Sequence, residues 1–140
     1  MDLKTSDLLK NLSFPEESEI HVSRHLITIS DRLKRKLSVS QMEKSQEYEG
    51  SKFYSEFITD TNQIITNILE YGELKRFKNV NYNQLELEFE FYVGAFPNGI
   101  GTNLLRSNEK SNNLVLILHR SKNKWEVTTC FPGTYFNKGN

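Results

Sequence analysis

At 140 residues, with 18 basic and 18 acidic side chains, the chain has room for one ordinary domain and no net charge. That balance excludes a whole-molecule attraction to nucleic acid or membrane, so either partner would have to be met by a local patch. Cys130 is the single cysteine and excludes an internal disulfide, and no apolar run approaches the roughly 18 residues that span a bilayer.

The start, "MDLKTSDLLKNLSF", is too polar for a signal peptide, and a soluble chain is expected. Residues 1–20 read as a linker or an extra helix, because "SDLLKNL" is amphipathic while the proline and acids of "SFPEESE" look like a connection. Residues 21–140 read as the functional domain. In "SRHLITISDRLKRKLS", Leu26, Ile29, Leu33 and Leu37 form a helical stripe. The β-branched run Ile27–Ile29, with Thr28 three residues before Asp31 as in a capping box, predicts a break into two helical pieces.

A polar stretch, "QMEKSQEYEGSKF", separates this from "ITDTNQIITNILEYG". There Ile58, Ile64, Ile65, Ile68 and Leu69 share a face, Asp60 or Thr61 serves as N-cap and Gly72 as stop. From Gln84 the period changes to two: Leu85, Leu87, Phe89, Phe91 and Val93 alternate with Glu86, Glu88 and Glu90, which predicts a strand with a solvated glutamate face. "GAFPNGIGTNLLRS" reads as a turn into a short strand, and "NLVLILH", "RSKN" and "KWEVTTCF" as strand, turn, strand. In "VTTCFPG", Val127, Thr129 and Phe131 are expected on one face with Trp125, and Thr128 and Cys130 on the other. Helices followed by an antiparallel sheet predict an α+β fold, N-terminal helices packed on a C-terminal sheet.

Chemistry-bearing residues are few. Arg24, His25, Arg32, Lys34, Arg35 and Lys36 fall close together with one acid, Asp31, between them; this is either a solvated helix side or a phosphate-binding surface, with Arg32 and Arg35 as substrate contacts. Of the histidines, His21 is expected to be exposed, His119 ends a strand and should pair near Trp125, and His25 stands beside the basic cluster. An imidazole with an ordinary pKa near 6.5 suits proton transfer at neutral pH. No HExxH or CxxC pair suggests a metal site, and no cofactor motif is evident. A histidine, a basic cluster and a hydroxyl-bearing last strand are the parts that metal-independent RNA cleavage uses: a base for the ribose 2′-hydroxyl, a cation for the phosphorane and a hydrogen bond to position substrate.

The run "HLITISDRLKRKL" from His25, "SKF" at Ser51–Phe53, "ITDTNQIITNIL", "GIG" and the ending "VTTCFP" together resemble the bacterial ribonuclease A-like toxin domain at the C-termini of contact-dependent growth inhibition proteins, over about residues 20–133. In that family a histidine opens the first helical region, an acid and a leucine follow, and a basic residue comes three positions later; these match His25, Asp31, Leu33 and Lys36. The family's closing Thr, any residue, Tyr, Pro matches Thr129, Cys130, Phe131 and Pro132. Lysine replaces the usual arginine and phenylalanine the usual tyrosine, so the two-pronged guanidinium and the phenolic hydroxyl are both lost.

The resemblance implies a ribonuclease A-like fold without disulfides and RNA cleavage through a 2′,3′-cyclic phosphate. His25 would be general base or acid, Lys36 the phosphate clamp, Thr129 the positioning hydroxyl and Phe131 a stacking wall. It also implies RNA as substrate, tRNA among the candidates, and a cognate immunity protein as partner, with no membrane partner. The domain would be exported or surface-borne at the end of a larger protein and would act in a target-cell cytoplasm. The alternative from another class is a non-catalytic nucleic-acid- or protein-binding module. One straight helix over 25–36 would hold His25 and Lys36 about 16 Å apart, so the break near Thr28 is required for a shared site.

Overall fold

A computed structural model describes residues 1–103 and 109–134. Helices α1 (Leu3–Lys10), α2 (Glu16–Ser23), α3 (Asp31–Lys34), α4 (Val39–Glu47) and α5 (Gln63–Tyr71) come first. Strands β1 (Gly72–Asn81), β2 (Gln84–Phe91), β3 (Gly101–Thr102), β4 (Lys110–Ser111), β5 (Asn113–Ser121) and β6 (Lys124–Pro132) follow. Four of the strands form an antiparallel sheet in the order β1-β2-β5-β6, and β3 and β4 form a small ribbon. The fold is α+β with helices preceding the sheet, as the change of hydrophobic period predicts. The predicted short strand after Gly99 is β3; the rest of that stretch, 104–107, lies outside the described residues.

Local chemistry sets the helix ends. Asp2 caps α1 by accepting from the Thr5 N–H at 2.8 Å, and Leu9 carries α1 into the common core. "SFPEESE" is more than a connection: Pro15 is the N-cap of α2, whose first turn gathers Glu16, Glu17 and Glu19 at the positive end of its dipole. The expected break near Thr28 is wider than predicted: residues 24–30, which include the expected first helical piece from His25, lie outside any helix, and Ser30, not Thr28, caps α3, its hydroxyl accepting from the Leu33 N–H. The polar stretch after Leu37 hides α4, which opens on a full Ser38–Gln41 capping box and buries only Ser45. With no apolar stripe, it leaves no periodic signal.

Helix α5 runs into β1 without a loop. Gly72 closes the helix in extended conformation, and a Cβ there would meet the Ile68 carbonyl oxygen at 2.7 Å. The alternate residues Leu85, Leu87, Phe89 and Phe91 of β2 join Leu114, Leu116 and Leu118 of β5 and Val127 and Cys130 of β6 in one core with Leu9, Val22, Ile64 and Ile68.

The other face of β2 corrects the expectation of solvated glutamates. Glu90 is exposed, but Glu86 and Glu88 are only 9 % and 7 % exposed. β2 is an inner strand, so each of them is flanked across the ladder, Glu88 between Arg76 and Val115, Glu86 between Lys78 and Ile117. The expected face sharing in β6 is also corrected. Ile117 pairs with Thr129 and Leu118 with Val127, so Thr128 is an extra residue in a bulge. Val127 and Cys130 therefore both face the core, and Thr129 and Phe131 occupy the opposite face. The hairpin turn is two residues, Lys122 and Asn123, both with positive φ, which sets His119 opposite Glu126, next to Trp125 as expected.

Gly72→Ala should lower stability by about 1–3 kcal/mol, because the added methyl must displace backbone at the α5–β1 junction. Urea unfolding would show the loss as a lower midpoint at unchanged slope.

Candidate functional site

The chain leaving α2 passes Ser51–Phe53, and that contact fixes His25. The Phe53 N–H donates to the His25 carbonyl, and Leu26 forms a parallel bridge with Phe53. On its other side Phe53 bridges Gly101, where a Cβ would lie 2.3 Å from the Lys52 carbonyl oxygen, so only glycine lets the loop before β3 approach this closely. The His25 ring is 1 % exposed, and its Nδ1 lies 2.8 Å from the Ser51 carbonyl oxygen. A carbonyl only accepts, so Nδ1 carries the proton and Nε2 the lone pair. Arg24 Nε donates toward Nε2 at 3.5 Å. Burial first, then the nearby Arg24, His21 and Lys52 charges, outweigh the opposing Ser51 hydrogen bond and hold the imidazole down at a pKa of about 4.

Around the ring, Tyr48 packs edge-on at 5.1 Å and Phe131 lies tilted at 6.0 Å. The Tyr48 face carries Arg24 at 4.8 Å and Lys52 at 5.5 Å. Lys52 Nζ donates to the carbonyls of Arg24 at 2.7 Å and Ser45 at 2.9 Å, and burial lowers its pKa. Of the sequence-predicted residues, His25 and Phe131 are thus brought together. Thr129 precedes Phe131 on the same face, and its Oγ1 is buried without a hydrogen-bond partner.

The predicted cations are placed elsewhere. Arg32 donates to Glu19 at 3.0 Å, to Thr61 Oγ1 and, through two nitrogens, to Asp60; Lys36 Nζ binds Glu19 at 3.2 Å. Arg35 is exposed. The cations that stand at His25 are Arg24 and Lys52, and sequence reasoning counted the first only as one of a cluster. Tyr48, Ser51 and Lys52 gave no signal beyond "SKF". His21 is exposed, as expected; together with His119 it lines a separate cleft of about 380 Å³, where His119 contacts Thr128 Oγ1 at 2.7 Å and Glu126 at 3.0 Å.

Among the described residues, no group of three or more His, Cys, Asp or Glu side chains could hold a metal ion, and no helix is long and apolar enough to cross a membrane. No family model, no curated protein and no solved structure matches the chain.

Asp60 is buried, which raises its pKa, but hydrogen bonds from Arg32, Ser30 and the Asn62 N–H outweigh that and bring it to about 2. A carboxyl depressed in the folded state stabilises above its unfolded pKa near 4 and loses that contribution as pH falls toward 2. Asp60→Asn should cost about 3 kcal/mol at neutral pH by leaving Arg32 half-paired, and the gap from the parent should shrink in urea melts below pH 4. Thr129→Val should leave stability unchanged or raise it by about 1 kcal/mol, since an unpaired buried hydroxyl is replaced by a methyl of similar shape.

Proposed function

We propose that the chain is a metal-independent endoribonuclease toxin domain, related to the ribonuclease A-like domains of contact-dependent growth inhibition proteins and neutralised by a cognate immunity protein. The observation that carries this reading is the tautomer of His25: Nδ1 is committed to the Ser51 carbonyl, which leaves Nε2 a base flanked by Arg24 and Lys52. Two cations beside an unprotonated imidazole suit a phosphodiester, whose anion supplies much of the affinity in nucleic-acid binding.

In this mechanism the incoming phosphate draws Arg24 off Nε2, and Nε2 takes the proton of the ribose 2′-hydroxyl. The 2′-oxygen attacks phosphorus and the bond to the 5′-oxygen breaks, giving a 2′,3′-cyclic phosphate. The imidazolium or water returns a proton to the departing oxygen. Arg24 and Lys52 stabilise the phosphorane, Thr129 supplies a hydroxyl to the substrate and Phe131 an aromatic wall. Lys36 joins only by leaving Glu19, whereas exposed Arg35 contributes to attraction at a distance. Export at the end of a larger protein and action on RNA, tRNA included, in a target-cell cytoplasm belong to the same reading.

The near-complete burial of His25 favours a second reading, a non-catalytic nucleic-acid-binding module whose histidine only packs.

Incubation with total RNA in EDTA separates the two. The nuclease should cleave, His25→Ala should lose about 100- to 10,000-fold in rate while keeping RNA affinity, and the acid limb of the kcat/KM profile, which reports the free protein, should fall near 4 and not near 6.5. Intact RNA with folded protein, or equal rates for parent and His25→Ala, would remove the enzyme reading.

A further inference from the structure

The residues directly after His25 wall a cleft of about 450 Å³, within the roughly 300–1,000 Å³ usual for small-molecule sites. Segment 26–29 forms one wall and α4 the other. Leu26, Ile27, Ile29 and Met42 line it with apolar surface and Lys34 and Lys52 with positive charge, and among the described residues no carboxylate lines it. Lys34 has a loose, exposed partner in Asp31 at 3.9 Å, whereas Lys52 has no carboxylate against it among the described residues, so the cleft's positive charge is centred on Lys52 and favours an anion there.

Lys52 is oriented for this. Two of its three ammonium hydrogens are taken by the Arg24 and Ser45 carbonyls, which fixes Nζ and leaves one donor. Neither contact neutralises its charge. The α4 wall buries only Ser45, tied by its hydroxyl to the Ser23 carbonyl at 3.1 Å, so the wall can adjust to a ring without breaking apolar packing. Thr28 and Gln46 add a hydroxyl and an amide, each able to donate and accept at a base edge.

We infer that this cleft binds one nucleotide unit, the base between the apolar side chains of segment 26–29 and Met42 and the phosphate on Lys52 and Lys34. The inference deepens the ribonuclease reading, which identifies the nucleotide as part of an RNA strand passing His25. Apolar walls with a few hydrogen-bonding groups suit a heterocycle, and a fixed ammonium beside them suits its phosphate.

An amide NMR titration with uridine 3′-monophosphate and adenosine 3′-monophosphate, with uridine and inorganic phosphate as separate arms, tests it. Nucleotide should shift the Ile27, Thr28 and Met42 amides and bind more tightly than either fragment. Ile27→Asp, at a 56 % exposed position that the fold does not need, should weaken binding by about tenfold or more, as should Lys52→Met where its amide spectrum stays native. Unshifted cleft amides, phosphate or uridine binding as tightly as nucleotide, or unchanged affinity in Ile27→Asp would overturn the assignment. RNA cleavage by the same preparation without cleft shifts would sink the cleft and leave the nuclease reading; nucleotide held in the cleft of a protein that cleaves nothing would do the reverse.

Discussion

The structure of the site depends on one narrow passage, where Ser51–Phe53 threads between the chain leaving α2 and the loop entering β3. Phe53 is fully buried, bridges Leu26 on one side and Gly101 on the other, and stacks on Phe57 at 5.5 Å. Lys52 exchanges hydrogen bonds with Thr102, its N–H donating to Oγ1 at 2.8 Å and its carbonyl accepting from the Thr102 N–H at 2.9 Å. Each of these chains contributes only a residue or two, so the passage forms no strand of its own. It nonetheless fixes the His25 tautomer through the Ser51 carbonyl, and the Arg24 and Ser45 carbonyls fix the direction of the Lys52 side chain. A side chain at Gly101 would have to displace the Lys52 carbonyl oxygen, one residue from the Ser51 carbonyl that holds the His25 ring.

Positive charge near the site is sorted into two groups by its partners. Glu19 and Asp60 bind Arg32 and Lys36 and tie α2, α3 and the start of α5 together. Two acids against two bases cancel at short range, and such a buried network contributes more to a unique arrangement than to net stability. Arg24 and Lys52 have a tyrosine face and carbonyl oxygens in place of carboxylates. Dipoles and a ring quadrupole hold a cation in place without neutralising it. The chain is neutral overall, yet the two cations beside His25 are held in ways that keep their charge.

What the sequence made legible follows from periodicity. α5 and β2 have strong stripes and were readable; the break before α3 was readable from β-branched residues and a following acid. α4 was not, because a helix burying one serine has no stripe, and β1 was not, because an edge strand of "GELKRFKNVN" is mostly exposed. Glu86 and Glu88 read as solvated because alternation gives the face and not the strand's place in the sheet. The inward turn of Val127 and Cys130 depends on one extra residue at Thr128, invisible to a period-two reading. For the site, His25 and Phe131 were both singled out in the sequence, and the structure brings their rings to 6.0 Å. Tyr48, Ser51 and Lys52 reach His25 through tertiary contacts that no local spacing encodes.

Burial of His25 has opposite effects on a base and on its access, and the two are linked. A neutral imidazole with its N–H on a carbonyl is inexpensive to bury, whereas the imidazolium is not, so the closed arrangement keeps Nε2 unprotonated at neutral pH. A base with a pKa near 4 is always available but provides little driving force for removing a hydroxyl proton, since general bases work best near the ambient pH. Displacing Arg24 from Nε2 and shifting the Tyr48 edge would readmit solvent and remove the adjacent cation. A phosphate anion in their place would favour the imidazolium as well. All three changes raise the pKa toward its ordinary value of 6.5. Under the ribonuclease reading, the substrate therefore does more than gain entry: by taking Arg24 for its own charge it converts a buried, weak base into one matched to the reaction.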